Sequence, residues 1–255
     1  MVRPPFEVYL TRRSARSAFA PDAFVFPGGT IDAQDASEAA RARAVGLEPK
    51  RLEKEFRAAV PAELTSDEPA VDLAAAAALS LAAVRELFEE AGVLLARNAG
   101  GLRVDQTSTD WKRIGAERVH IRDGRLSFAD FLKAHDWYAD ANALTLFSHW
   151  ITPYSEPRRY NTHFFFAVAP PGQSALADAF ETHDGLWIAP SLALERHRAG
   201  TMHLVYPTIK HLARLTAFDS VEAAQAFARS KPVFTILPRD ADDDFQIPPA
   251  LENAW

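Results

Sequence analysis

The 255 residues are 48% hydrophobic and carry a net charge of -6, from 28 Lys and Arg against 34 Asp and Glu. That is enough chain to bury a sizeable core, in one large domain or two small ones, while a general nucleic-acid binder would show a basic excess. The absence of cysteine excludes a disulfide scaffold, a thiolate metal site and a cysteine nucleophile, so any metal must be held by oxygen or imidazole.

The N-terminal "MVRPPFEVYL" has no apolar signal core, and no uninterrupted apolar run reaches the roughly 18 residues of a membrane span. The chain therefore reads as soluble and cytoplasmic, with no membrane partner. The first predicted strand is "FEVYLTR", where Phe6, Val8 and Leu10 alternate with Glu7 and Tyr9 in the period of a half-buried strand. A second, "AFVF", stops at Pro27-Gly28-Gly29, which reads as a turn and also lets backbone approach a ligand closely. From Asp35 to about Leu64 the pattern is helical and polar, with Leu52, Phe56 and Val60 on one face, and is expected to form a solvated accessory helix. After the loop "TSDEPAVDL", in which Pro69 marks a helix start, a long helix is predicted from about Val71 to Ala96.

Beyond it "RNAGGLRVDQTSTD" reads as a loop, "SFADFLKAHD" and "DANALTLF" as short helices, and "SHWITP" as the start of a strand. The three phenylalanines of "NTHFFFAVAP" suit a strand covered on both faces. One more strand, "DGLWIAP", precedes helices at "SLALERHRAG", "TIKHLARLTAF" and "VEAAQAFARS", and the acidic, proline-rich tail reads as extended chain. No repeat is visible. Interleaved strands and helices indicate an α/β or α+β domain built on a mixed sheet.

The chemistry concentrates in "RELFEEAGV", Arg85 to Val93. At about 100° per residue, Glu90 lies roughly 40° and Glu89 roughly 60° from Glu86, so three carboxylates share one helix face. Leu81, Val84, Leu87 and Phe88 fall toward the other side. Like charges at this spacing repel, and a hard divalent cation, which prefers oxygen ligands, would offset them. The alternative is a solvated acidic face. Five fixed residue types and two apolar positions make a chance match in this chain on the order of one in 10⁵.

The stretch resembles the second half of the Nudix box, G-x5-E-x7-R-E-U-x-E-E-x-G-U, where U is a bulky aliphatic residue. With Gly29 as the opening glycine, Asp35 takes the place of the first glutamate, a conservative departure. Arg85 follows Asp35 by fifty residues instead of eight, so about 42 residues interrupt the box. The Nudix branch called nucleoside diphosphate-linked moiety X motif 19, of coenzyme A diphosphatases, has a similarly interrupted box. This chain resembles it at "FVFPGGTIDAQD", "AVRELFEEAGVLLAR" and "SHWITPYSEPRRYNTHFFFAV", and "LWIAPSLAL" is similar to a segment common late in Nudix domains.

The resemblance implies one Nudix domain over 1–255, an α/β/α sandwich with insertions at about 36–77 and 98–147. It implies Mg²⁺ or Mn²⁺ held by Glu86, Glu89, Glu90 and the carbonyl of Gly29 or Gly28, with Gly28 close to the substrate. Arg85 would orient a neighbouring glutamate, and Arg85, Glu86 and Glu89 would form the catalytic set, with Glu86, Glu156 and Glu181 as candidate bases. The implied reaction is hydrolysis of a diphosphate in a small nucleotide-type substrate, coenzyme A or its acyl derivatives first. Dinucleotides, ADP-ribose or nucleotide sugars are the alternative substrates, and a ligand sensor without turnover is the reading from a different class. Arg12, Arg13, Arg16, Arg158 and Arg159 are available for the phosphates. The longer signature of another coenzyme A branch is only partly matched: "LTRRS" is present, an internal glycine is not. Trp150 and Tyr160 are candidates to stack on adenine, with the core as the alternative, and the histidines read as structural or surface residues. The insertions are candidate surfaces for a homodimer, through Phe56, Trp111 and Trp137.

Overall fold

The computed structural model describes residues 1–17, 20–57, 71–107, 110–176, 182–241, 244–252 and 254–255. The chain opens with β1 (Val2–Arg3), β2 (Glu7–Arg13) and β3 (Phe24–Val25). Then come α1 (Glu38–Ala42), β4 (Ala44–Val45) and α2 (Pro49–Phe56), in the stretch expected as the first insertion, ahead of the long helix α3 (Leu73–Ala91). Strand β5 (Ala96–Asn98) follows, and the stretch expected as the second insertion holds α4 (Trp111–Arg122), α5 (Phe128–Ala134) and β6 (Trp137–Asp140). Strands β7 (Leu144–Ile151), β8 (Asn161–Ala167) and β9 (Thr182–Ile188) follow. Helices α6 (Pro190–Arg198), α7 (Tyr206–Leu215) and α8 (Val221–Ser230) lead to β10 (Thr235–Ile236) and a small hairpin of β11 (Arg239–Ala241) with β12 (Asp244–Gln246).

Strand β2 organises one sheet: β1 and β3 pair with successive parts of it, and antiparallel β9 runs along its length. A second sheet has the order β10-β7-β8 and meets the first where Val2 bridges Val168. Side chains alternate across β2, and both faces are covered. Phe6, Val8 and Leu10 join a core with α6, α7 and α8, while Tyr9 joins the opposite core with α3, α4 and α5. This gives helix layers on both sides of the sheets, and it corrects the expectation of a half-buried strand: Val8, Tyr9, Leu10 and Thr11 are all buried. Among the described residues, no helix is long and apolar enough to cross a membrane.

Helix α3 forms because Asp72 caps it, accepting from the Ala75 N–H, and its alanine-rich first half has high helix propensity. It stops at Gly92, which takes the left-handed conformation at φ +65°. The cap is Asp72, whereas Pro69 lies outside the described residues.

The stretch expected as a solvated helix is broken into α1, β4 and α2, and α2 is solvated on one face only. Leu52 and Phe56 bury against Ala76, Ala77, Leu146 and Val233, with the Phe56 ring 6.2 Å from Phe165. Val60 and Leu64 lie outside the described residues. Arg51 fastens α2 to the start of β7 by donating to the Ala141 and Leu144 carbonyls at 2.8 and 3.0 Å. Strand β4 pairs in parallel with β6, which also carries antiparallel β5, so these three strands form a third sheet.

Two further expectations change. "DANALTLF" is not a helix: it ends β6, makes a short 3-10 turn at Ala141–Ala143 and begins β7, whose Leu144 sits opposite Ala167. The loop ahead of "SFADFLKAHD" contains β5, and α4 went unread beyond it. Strand β8 is covered on both faces as its phenylalanines suggest, with Phe164 and Phe166 in one core and Phe165 in the others. The tail is anchored by Trp255, 2% exposed, whose ring meets Trp150 edge-on at 5.2 Å. Trp150 is thus a core residue and not a base-stacking platform. Phe56 is buried in a core of its own chain, and Trp111 and Trp137 pack partly buried against another.

Candidate active site

The interrupted box closes in space. Arg85, 5% exposed, projects from α3 toward the turn after β3, and Asp35, 3% exposed, meets it there. Asp35 is held by its own short turn, in which Asp32 and Asp35 cap each other's backbone. Arg85 Nε and Nη2 donate to the two Asp35 oxygens, each at 2.9 Å, forming a two-pronged pair across fifty residues of sequence. Nη2 also donates to the Thr30 carbonyl at 2.9 Å. The remaining nitrogen, Nη1, donates to Glu86 Oε1 at 2.9 Å and Glu89 Oε1 at 3.1 Å. Burial opposes the guanidinium charge, but the Asp35 hydrogen bond and the fields of Glu86, Asp35 and Glu89 outweigh it and raise its pKa above the ordinary arginine range.

The glycine turn faces the same helix. The Gly28 N–H donates to Glu90 Oε2 at 2.9 Å, which fixes the third carboxylate. A Cβ on Gly29 would stand 2.6 Å from both Glu86 oxygens, so only glycine lets the backbone approach this carboxylate as it does. Gly28, Gly29, Asp35, Arg85, Glu86, Glu89 and Glu90 are therefore brought together. Glu86 and Glu89 keep side-chain exposures of 14% and 11%, while Glu90 is buried.

Among the described residues, no three acidic or imidazole groups stand as a ready-made metal set. Arg85 bridges Glu86 and Glu89, and the Gly28 amide engages Glu90. The donor chemistry nevertheless fits a hard cation: carboxylate oxygens gathered against a bare glycine backbone, with no sulfur or imidazole among them.

Arg12, Arg13 and Arg159 among the predicted phosphate arginines have partners of their own. Arg12 pairs with Asp22 at 3.2 Å and Asp184 at 3.7 Å. Arg13 donates to Ser17. Arg158 and Arg159 are exposed in the β7–β8 connection, where Arg159 donates to the Thr152 carbonyl and lies over Tyr154. Arg16 is exposed, and so is Glu156 in that same connection. Glu181 lies outside the described residues.

Sequence reasoning assigned Asp35 a place in the box but no role, and it missed Arg118 of α4 altogether. Arg118 Nε donates to the Glu89 carbonyl at 2.9 Å. The signal for its helix was present: Asp110, which caps α4, followed by Ile114 and Ile121, its buried residues, seven apart.

The NUDT19 Nudix domain model matches residues 3–215. The acyl-coenzyme A diphosphatase NUDT19 of Homo sapiens is 30% identical over 253 residues, covering 88% of this chain and 65% of that protein. The Gallus gallus protein of the same name is 29% identical over 248 residues, covering 89% and 65%. A putative nudix hydrolase 7 of Caenorhabditis elegans is 25% identical, covering 88% and 60%. The chain thus spans less than two thirds of the length of these curated relatives. The crystal structure of a NUDIX hydrolase from Alicyclobacillus acidocaldarius superposes with a TM-score of 0.67 at 27% identity, covering 87% of this chain and 88% of that one.

Proposed function

The chain belongs to the NUDT19 Nudix family, and we propose that it is a hydrolase of diphosphate linkages acting on coenzyme A or acyl-coenzyme A, releasing 3′,5′-ADP and the (acyl)phosphopantetheine. The observation that carries this reading is the buried Arg85–Asp35 pair, which joins the two halves of the interrupted box and leaves Glu86 and Glu89 partly open to solvent. The substrate class comes from the names of the vertebrate relatives. The whole chain is taken as one domain, with both insertions folded into it, acting in the cytoplasm.

Glu86, Glu89 and Glu90, with the Gly29 carbonyl, would hold Mg²⁺ or Mn²⁺. When bound there, the cation supplies charge neutralisation of the diphosphate and acidifies water. The protein's own part is orientation. Arg85 fixes two carboxylates through one nitrogen, the Gly28 amide fixes the third, and Asp35 fixes Arg85. Glu86 is the preferred proton acceptor, because it stands in this cluster against the bare face of Gly29.

The test is turnover. The purified protein is incubated with Mg²⁺ or Mn²⁺ and coenzyme A, acetyl-coenzyme A, ADP-ribose, NADH or diadenosine polyphosphates, and products are resolved by mass. Release of 3′,5′-ADP that disappears in Glu89→Gln and Glu90→Gln is expected. Turnover of another substrate would overturn the coenzyme A assignment while keeping the glutamates, and no turnover would favour a ligand sensor.

A further inference from the structure

We propose that Arg118, in the second insertion, is a positioning residue for Glu89 and thereby for the metal-binding end of α3. The inference rests on the reading of Glu86, Glu89 and Glu90 as metal ligands. The last carbonyls of a helix have no partner within it, and α3 ends at Ala91, so the Glu89 carbonyl is one of them. Arg118 Nε supplies the missing donor at 2.9 Å. Glu89 is therefore held at two points, its carboxylate by Arg85 of its own helix and its carbonyl by Arg118 of an inserted one. The Arg118 guanidinium also stands at the negative end of the helix dipole, where its charge stabilises the last turn.

The same guanidinium reaches further. Its Nη2 donates to the Leu176 carbonyl at 3.0 Å, and the Leu176 N–H donates back to the Ala91 carbonyl at 2.8 Å. Gln173 continues the seam, accepting from the Leu94 N–H at 2.8 Å and donating to the Leu94 and Val104 carbonyls, each at 3.0 Å. Arg118 thus fastens the final turn of α3 to the segment that follows β8. Gly92 makes room for it: a Cβ there would lie 2.9 Å from Arg118 Nη1. The insertion completes the catalytic helix in place of decorating it.

The test measures Mn²⁺ uptake by electron paramagnetic resonance, with amide hydrogen exchange over α3, in the native protein, Arg118→Ala, Arg118→Lys and Glu89→Gln. Outer-shell partners typically contribute tenfold or more to metal affinity, so Arg118→Ala is expected to bind Mn²⁺ about tenfold more weakly and to exchange faster at the end of α3. Arg118→Lys keeps the cation without the planar fork, is the milder change should the alanine variant not fold, and is expected to weaken binding several-fold. Native affinity in a folded Arg118 variant, even with faster exchange, would reduce Arg118 to a structural role and overturn the proposal. If Glu89→Gln binds Mn²⁺ as the native protein does, the ligand reading itself fails, and that result is distinct from an Arg118 variant without effect.

Discussion

Replacing Asp35 with alanine removes one half of a pair that is 3% and 5% exposed on its two sides. The lost contacts are two 2.9 Å hydrogen bonds from Arg85 and one of 2.8 Å from the Asp32 amide. Breaking a buried ion pair on one side costs about 3–5 kcal/mol, because the surviving charge stays buried. Arg85 keeps Glu86, Glu89 and the Thr30 carbonyl, which places the expectation at the lower end, about 3 kcal/mol. For a chain of this size that corresponds to a fall in Tm of about 6–12 °C, read by differential scanning calorimetry. Turnover should fall as well, since the guanidinium that orients two carboxylates loses its anchor. Asp35→Glu, which installs the residue type of the uninterrupted box, adds a methylene to a filled site and should cost about 1–3 kcal/mol. An alanine variant that melts within about 1 °C of the native protein would refute the claim that this pair joins the two halves of the site.

Gly29→Ala would push a methyl against the Glu86 carboxylate, 2.6 Å away. The obstacle is the tip of a flexible side chain, so Tm should move by no more than about 2 °C while displacement of Glu86 lowers turnover by about a hundredfold; equal activity would show that Glu86 is not needed where it stands. Phe56→Ala should destabilise by about 3 kcal/mol in a denaturant titration, as for a buried aromatic, whereas a loss below about 0.5 kcal/mol would fit a decorative insertion. Acid stability should follow two histidines. Burial, reinforced for His163 by His149, drops the pKa of His163 and of His211 to about 3 from 6.5. The unfolded chain then binds more protons than the folded one between pH 6.5 and 3, so their stabilisation is complete above pH 6.5 and is lost as pH falls. Each contributes up to about 1.4 kcal/mol per pH unit across that window. His211→Gln, whose amide reaches the Nε2 position that meets Ser148 at 2.7 Å, should flatten the profile; an unchanged slope would exclude His211 as its source.

The part of the site that helical periodicity makes legible is the one that α3 carries, Arg85 to Glu90 in a continuous segment that stops at Gly92, whereas Gly29 and Asp35 are placed only by the resemblance. "DANALTLF" was misread because alanine and leucine favour helix locally, while the pairing of Leu144 with Ala167 and Thr145 with Phe166 favours a strand and is invisible to a local window. Arg118 escaped for a different reason: it meets α3 and Leu176 through backbone carbonyls, which any sequence supplies.

Why the fold tolerates 42 residues inside its active-site motif follows from two magnitudes. Lengthening the connection between Asp35 and Arg85 from eight residues to fifty amounts to fewer than three doublings, or about 1.6 kcal/mol of added closure entropy. Leu52 and Phe56, 2% and 9% exposed in the cluster with Leu146 and Val233, each contribute about 1.5–3 kcal/mol by burial, which offsets that closure term. Among the described residues of this stretch, Arg51 and the β4–β6 pairing fix further backbone. An insertion that stayed in solvent would leave the two halves of the box joined only by their direct contacts, Arg85 with Asp35 and Thr30 and Gly28 with Glu90. One that packs on β7 and α3 brings Asp35 back to Arg85 through the fold itself, and an aspartate then serves where the uninterrupted box has a glutamate.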